Sequence, residues 1–254
     1  MPQTNSDADL YSREGFLSPI DVLDADEVAR YRAEFDALEG ELGRDVCSIG
    51  LMGRHRDIRF IWELATHPKV LDAPDAVLGP DIVLLSTHIF CKYPAEGPRR
   101  PFVAWHQDVT YWGLEPAQAY TGWLALDDAD VENGAMRVLP GTHQLGQLEH
   151  GKAGEPDNLL SINQAIDPHR LDVNSAVDIE LRAGQMSLHD GLLVHGSNPN
   201  LSNRRRCGVT LRYTTPNVRI VEEPGRRHQW PPSLVRGKDR YGTIDLLPAP
   251  EFAG

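Results

Sequence analysis

His106 and Asp108 stand two apart in Trp105-His106-Gln107-Asp108-Val109, and His195 lies far downstream in Val194-His195-Gly196-Ser197. On a strand, residues two apart point to one face, so the His106 imidazole and the Asp108 carboxylate can meet a shared point while Gln107 faces away. A second imidazole from a distant strand completes a set of two histidines and one carboxylate, which suits non-haem Fe(II) and the activation of O2. An H-x-D triplet alone is common on surface strands; its weight comes from its company. Ser197 stands two positions after His195, and Arg206 eleven after it, inside Arg204-Arg205-Arg206 at the start of the strand-like Cys207–Tyr213. A fixed guanidinium and a hydroxyl are what an iron oxygenase that consumes a keto acid needs to hold the far carboxylate of that acid.

The chain resembles the phytanoyl-CoA dioxygenase family of Fe(II)/2-oxoglutarate oxygenases from about Tyr11 to Pro216. The resemblance is carried by Glu14-Gly15-Phe16-Leu17, the strand containing Lys92, His106-Gln107-Asp108, Trp123, the run Asn133-Gly134-Ala135-Met136-Arg137-Val138-Leu139-Pro140-Gly141-Thr142-His143, and His195-Gly196-Ser197 with Arg206. It implies that His106, Asp108 and His195 ligate iron and that Arg206 and Ser197 hold the distal carboxylate of 2-oxoglutarate. It also places Lys92 and Trp123 along the cosubstrate pocket. O2 and 2-oxoglutarate would become succinate and CO2 as a substrate C–H is hydroxylated. Asp108 fits hydroxylation, since halogenating relatives carry a small residue in place of the carboxylate. The segment from His106 to Leu114 is similar to bacterial relatives that act on small aminoalkyl or trimethylammonio-alkyl phosphonates, with Arg54, Arg99, Arg100 and Arg137 as candidate partners for the phosphonate. Trp105, Tyr111, Trp112, Tyr120 and Trp123 cluster around the metal motif, and aromatic walls suit a quaternary ammonium, although each ring alone is more often core.

Two other readings stay open. Zn(II) on the same three ligands could serve a hydrolase, which has no need of Ser197 or Arg206. A non-catalytic jelly-roll binding protein is the other, and the intact triad speaks against it. Of the ten histidines, His55, His67, His169 and His228 read as solvent-exposed and His143 as structural. His88 and His189 read as buried rings satisfied by backbone carbonyls. Asp190, adjacent to His189, is a poorer chelating partner because neighbours on a strand face opposite sides.

These residues need a scaffold, and 254 residues with net charge −12 suit one domain, 1–254, with no nucleic-acid-binding or anionic-membrane surface. Three widely spaced cysteines and a polar, acidic start point to a reducing cytoplasm, and no apolar run reaches membrane-spanning length. Residues 1–10 read as a flexible tail. Val28, Tyr31, Phe35, Leu38 and Leu42 draw a stripe along a helix from Asp24 to Gly43 that starts with a capping box, Asp24 and Glu27. Pro68–Leu78 is a second helix, closed by Gly79-Pro80.

From Ile82 the period becomes two. Ile82–Tyr93 is apolar on both faces, with Ile82, Leu84, Ser86, His88, Phe90 and Lys92 on one. Further strands follow at Phe102–Thr110, Tyr120–Leu126, Ala135–Leu139, Val177–Leu181, Gln185–His189, Leu192–His195 and Cys207–Thr214. Many short strands between Gly, Pro, Asn and Asp turns give a mainly β fold, a sandwich or jelly roll. The family resemblance implies the cupin-like double-stranded β-helix with flanking N-terminal α-helices. The polar stretch 144–176 reads as a lid or insert. The tail after Val218, with Trp230-Pro231-Pro232, either wraps the domain or contacts a neighbouring subunit of a homo-oligomer.

Overall fold

The computed structural model describes residues 5–95, 97–152, 154–160, 164–221 and 232–252. His228, Trp230, Pro231 and, within the insert, residues 153 and 161–163 lie outside the described residues, as does the side chain of Tyr111. Five helices are described before the main run of strands: α1 Asn5–Glu14, α2 Ala25–Leu42, α3 Arg44–Ile49, α4 Arg59–Ala65 and α5 Pro68–Leu78. The strands that build the two larger sheets are β1 Phe16–Asp21, β2 Ile82–Lys92, β3 Val103–His106, β4 Tyr120–Ala125, β5 Met136–Val138, β6 Val177–Ile179, β7 Gln185–Asp190, β8 His195–Ser197, β9 Arg206–Thr214 and β10 Ser233–Arg236.

Helix α2 forms where the stripe predicts. The Asp24 side chain accepts from the Glu27 amide (2.9 Å) while Glu27 Oε2 accepts from the Asp24 amide (2.9 Å), satisfying two otherwise orphan donors. Tyr31 and Phe35 on its inner face are buried. Of the tail expected at residues 1–10, the described part from Asn5 is helical instead. Helix α1 is anchored by Tyr11, buried with its ring 6.2 Å from that of Tyr120, and by the Gly141 amide donating to the Glu14 carbonyl.

All strand pairings within the two larger sheets are antiparallel: a six-stranded sheet in the order β1-β7-β4-β9-β2-β10 and a four-stranded one in the order β3-β8-β5-β6. Period two divides the large sheet chemically. Along β9, Cys207, Val209, Leu211 and Tyr213 join the helix-side core with Phe35, Leu64 and Val70. Arg206, Thr210 and Arg212 turn the other way and line a cavity with residues of the small sheet. Strand β2 does not keep one face throughout. A bulge at Leu85, where Arg212 pairs with Ser86 but Tyr213 with Leu84, puts Ile82 and Leu84 in the helix-side core and leaves Phe90 on the cavity wall. Such a bulge inserts one residue and switches the alternation.

The described part of the 144–176 insert lies along β3. Its Asp157 carbonyl accepts from the Phe102 amide, its Leu159 amide donates to the Phe102 carbonyl, and its Ile166 amide donates to the Trp105 carbonyl. The described part of the C-terminal tail wraps the domain: β10 extends the large sheet beside β2, and Arg56 donates to Ser233 Oγ and the Pro248 carbonyl. The three cysteines are free and buried. Among the described residues no helix is long and apolar enough to cross a membrane.

Candidate functional site

His106 closes β3 and His195 opens β8, and the two stand directly opposite across the ladder, with ring centres 4.1 Å apart. Asp108 is not on the strand as the spacing predicts. Gln107 is the last extended residue, and Asp108 begins a single 3-10 turn, Asp108–Tyr111, that swings its carboxylate back toward the histidines. One ligand atom from each of His106, Asp108 and His195 lies within 4.8 Å of the others, and His106 Nε2 is 3.7 Å from Asp108 Oδ1. All three residues are buried.

Their orientation is set from behind. His106 Nδ1 donates to the Ala104 carbonyl (2.9 Å) and His195 Nδ1 to the Leu193 carbonyl (3.0 Å). The tautomer assigned by those acceptors leaves each Nε2 lone pair for a metal. Asp108 Oδ2 accepts from the Thr121 hydroxyl at 2.6 Å. Burial opposes the charge on Asp108, but the Arg212 guanidinium, 3.5 Å from Oδ1, with His106 and His189, holds its carboxyl well below the usual range. Burial, with the neighbouring His106 and His189, keeps His195 neutral. Two imidazoles and one ionised carboxylate, buried and converging, fit a divalent iron.

Gln107 faces away, as expected, and it does so as a clamp. Fully buried, its amide donates to the carbonyls of Gly146 (2.9 Å) and Leu192 (2.6 Å) and accepts from the Leu148 amide (2.7 Å). It ties the end of β3 to the loop before His195 and to the insert.

Arg206 is 2% exposed and lines the same cavity as the three candidate ligands. Its Nε and Nη2 donate to the Gly134 carbonyl at 3.1 and 2.7 Å, and the guanidinium carbon is 5.0 Å from the Trp123 ring centre. Burial lowers its pKa to about 10, which leaves it charged at neutral pH. Ser197 also lines the cavity. Lys92 does not: its Nζ donates to Ser197 Oγ (2.6 Å) and to the carbonyls of Asn198 and Gly134, placing it behind the wall. Gly134 is required where it stands. It has φ +80°, and a Cβ there would lie 2.5 Å from the Asn198 carbonyl oxygen. The Asn-Gly turn therefore presents one carbonyl to both buried side chains, Arg206 and Lys92, and burial, with Arg206 beside it, pushes the Lys92 pKa well down. Trp123 lines the cavity with its ring against Gly208, where a Cβ would sit 2.1 Å from Trp123 Cζ2.

Two wall residues escape the sequence reading. Arg212 shares the face of Arg206 by period two, a signal that was available. His189 was expected to meet a backbone carbonyl. His88 does so, on Ile49 at 2.7 Å, but neither ring nitrogen of His189 has a hydrogen-bond partner, because its strand turns it toward the cavity rather than the chain. The arginines named for a phosphonate do not reach this wall. Arg54, Arg99 and Arg137 pair with Asp57, Asp157 and Asp178, and Arg100 donates to the Gly97 carbonyl. Arg137 and Trp105 instead line an adjoining cavity of about 610 Å³ against the insert, which shares Val103 and Ser197 with the first. His55 is buried rather than exposed and contacts Thr87 Oγ1. His143 holds a structural place, its Nε2 donating to the Ser12 carbonyl.

Comparison with known proteins agrees with this geometry. The phytanoyl-CoA dioxygenase (PhyH) family profile matches residues 11–208. The peroxisomal phytanoyl-CoA dioxygenase of Mus musculus is 25% identical over 85% of this chain and 69% of its own. A probable alpha-ketoglutarate-dependent hypophosphite dioxygenase of Stutzerimonas stutzeri is 29% identical over 72% of this chain and 58% of its own. Among solved structures, the non-heme monooxygenase ThoJ in its apo form superposes with a TM-score of 0.77 at 30% identity, covering 96% of this chain and 88% of that one. The chain belongs to the phytanoyl-CoA dioxygenase family, whose members depend on Fe(II) and 2-oxoglutarate.

Proposed function

We propose that this protein is an Fe(II)/2-oxoglutarate-dependent hydroxylase of a small polar substrate, a quaternary-ammonium or amino phosphonate. His106, Asp108 and His195 hold the metal, and Arg206 and Ser197 hold the distal carboxylate of 2-oxoglutarate. The observation that carries this reading is the convergence of three buried ligand atoms and a buried guanidinium on one cavity. A zinc hydrolase explains the first and has no use for the second. The sheet pair supports the double-stranded β-helix, and we take 1–254 as one oxygenase domain with the 144–176 insert flanking the substrate approach.

When bound, Fe(II) supplies the activation of O2 at the expense of 2-oxoglutarate. The balance is substrate R–H, 2-oxoglutarate and O2 giving R–OH, succinate and CO2. The chain's own work is geometric and electrostatic. The Ala104 and Leu193 carbonyls fix the two ligand tautomers, and Thr121 Oγ1 holds the outer oxygen of Asp108. Lys92 donates to the Ser197 hydroxyl, which frees that hydroxyl's own proton for an incoming carboxylate. Arg206 uses its Nε–Nη2 edge on Gly134 and so has its remaining N–H groups for the same carboxylate.

Purified protein incubated anaerobically with Fe(II) and 2-oxoglutarate should develop a weak visible charge-transfer band and release succinate once air is admitted. Tight zinc retention with neither band nor succinate would sink the reading. Arg206→Ala should keep the metal and weaken 2-oxoglutarate binding by about a hundredfold, from the loss of a charge-assisted carboxylate contact; unchanged cosubstrate affinity refutes the assignment.

A further inference from the structure

The cavity holds a second guanidinium that these roles leave unused. One rung of the large sheet runs His189, Thr121, Arg212, Ser86 across four strands. Arg212 stands six positions after Arg206 along β9, roughly 20 Å of strand at about 3.3 Å per residue. Arg212 is 9% exposed. Its Nη1 donates to Thr210 Oγ1 (2.9 Å), its Nη2 lies 3.5 Å from Asp108 Oδ1, and its guanidinium carbon is 5.2 Å from the Trp112 ring centre. Its Nε has no hydrogen-bond partner, and neither ring nitrogen of the neighbouring His189 has one. Unpartnered buried donors are rare and costly.

Charge points the same way. Asp108 is the one carboxylate among the described residues lining this cavity, against Arg206 and Arg212. An iron dication and a 2-oxoglutarate dianion cancel each other, so at least one positive charge stays uncompensated in a buried site. The cosubstrate cannot use Arg212 for its distal carboxylate. That group lies three carbons beyond the chelating keto carbon, whereas Arg212 sits against a metal-ligand oxygen. We propose that Arg212 recognises an oxyanion of the substrate, a carboxylate or a phosphonate, with Trp112 and Thr210 holding the guanidinium in place. The proposal rests on the oxygenase reading and makes the substrate an anion.

Protein loaded with Zn(II) in place of iron and saturated with 2-oxoglutarate allows binding to be read without turnover, by ligand-observed NMR titration. The probes are ethylphosphonate and propionate, each beside a neutral counterpart, diethyl ethylphosphonate and propionamide. At least one anion should bind the wild-type complex about tenfold or more tightly than its counterpart, and Arg212→Gln should remove about the same factor. The stronger anion identifies the oxyanion. Arg212→Lys should keep part of the affinity and Trp112→Ala, which leaves the charge, should weaken it several-fold; these two carry the test if Arg212→Gln fails to fold. The 2-oxoglutarate affinity should stay constant throughout. Anion binding that is indifferent to all three substitutions, or absent in the wild type, overturns the proposal. So does a loss confined to 2-oxoglutarate, which would make Arg212 a cosubstrate residue. Failure of wild-type protein to bind 2-oxoglutarate at all overturns the oxygenase reading, and this proposal with it.

Discussion

Gln107→Ala is the substitution whose cost can be worked most directly from the structure. The wild-type side chain is fully buried and makes three hydrogen bonds to backbone groups of two other segments, at 2.6 to 2.9 Å. Each bond contributes about 1 kcal/mol net, and a stranded buried partner costs about 1–3 kcal/mol where water cannot replace the lost group. With partial hydration of the gap, a loss of roughly 3–5 kcal/mol follows. For a chain of this length that corresponds to a fall of about 6–20 °C in Tm. The same clamp fixes the Leu192 carbonyl, three residues before His195, so the spacing between the two imidazoles loosens as well. Metal affinity should drop about 10- to 100-fold, as when the support of a ligand is removed. Calorimetric melting of the metal-free protein, followed by competition for Zn(II) against a chromophoric chelator, measures both. A Tm within about 2 °C of wild type, together with unaltered metal affinity, would show that Gln107 is a spectator and that the ligand spacing is held by the strands alone.

Gly208→Ala should destabilise the fold by about 1–3 kcal/mol through overpacking against Trp123, and should raise KM for 2-oxoglutarate because Arg206 rests over the same ring; an unchanged KM refutes the coupling. Burial lowers the pKa of His55 to about 4 and of His88 to about 3, with Arg56 and Arg212 respectively adding to the effect. Both folded values lie below the unfolded one, so the unfolded chain takes up protons first. Stability is therefore complete above about pH 6.5 and is lost as pH falls toward those values, by roughly 2 kcal/mol per ring at about pH 5. Urea midpoints of metal-free protein at the two ends of that window test this, and His55→Gln should remove about 2 kcal/mol of the drop.

The legible parts of this fold are those where local chemistry and tertiary packing agree. Helix α2 carries both a capping box and an apolar stripe, and α5 starts on Pro68 and ends at Gly79. Helix α1 has a polar sequence with little intrinsic preference; its order comes from Tyr11 meeting Tyr120 more than a hundred residues away, which no local window contains. The bulge at Leu85 and the 3-10 turn at Asp108 are backbone irregularities invisible to a period-two pattern, although the second changes only how Asp108 reaches the histidines. The arginine partners were illegible for a related reason. Arg99 meets Asp157 and Arg137 meets Asp178 through long-range pairing, so a candidate substrate cation cannot be told from a neutralised one by sequence. Arg212 was within reach, because once Arg206 faces the cavity its neighbours 208, 210 and 212 must face it too.

The position of the cations explains why the bulk charge misleads about the ligand. A chain of net charge −12 suggests indifference to anions, yet its acidic excess does not extend to the cavity wall. There the small sheet supplies the two ligand imidazoles, and β9 of the large sheet supplies two guanidiniums against one carboxylate. Charges on the outer surface are screened within about 10 Å at ordinary ionic strength, so the acidic exterior contributes little at the centre of the site. Local chemistry is set by register: every second residue of β9 faces the metal ligands, and the two that carry charge are both arginine. The fold thus separates the function of keeping the protein in solution from that of holding anions, and only the second is written in the alternation of a single strand.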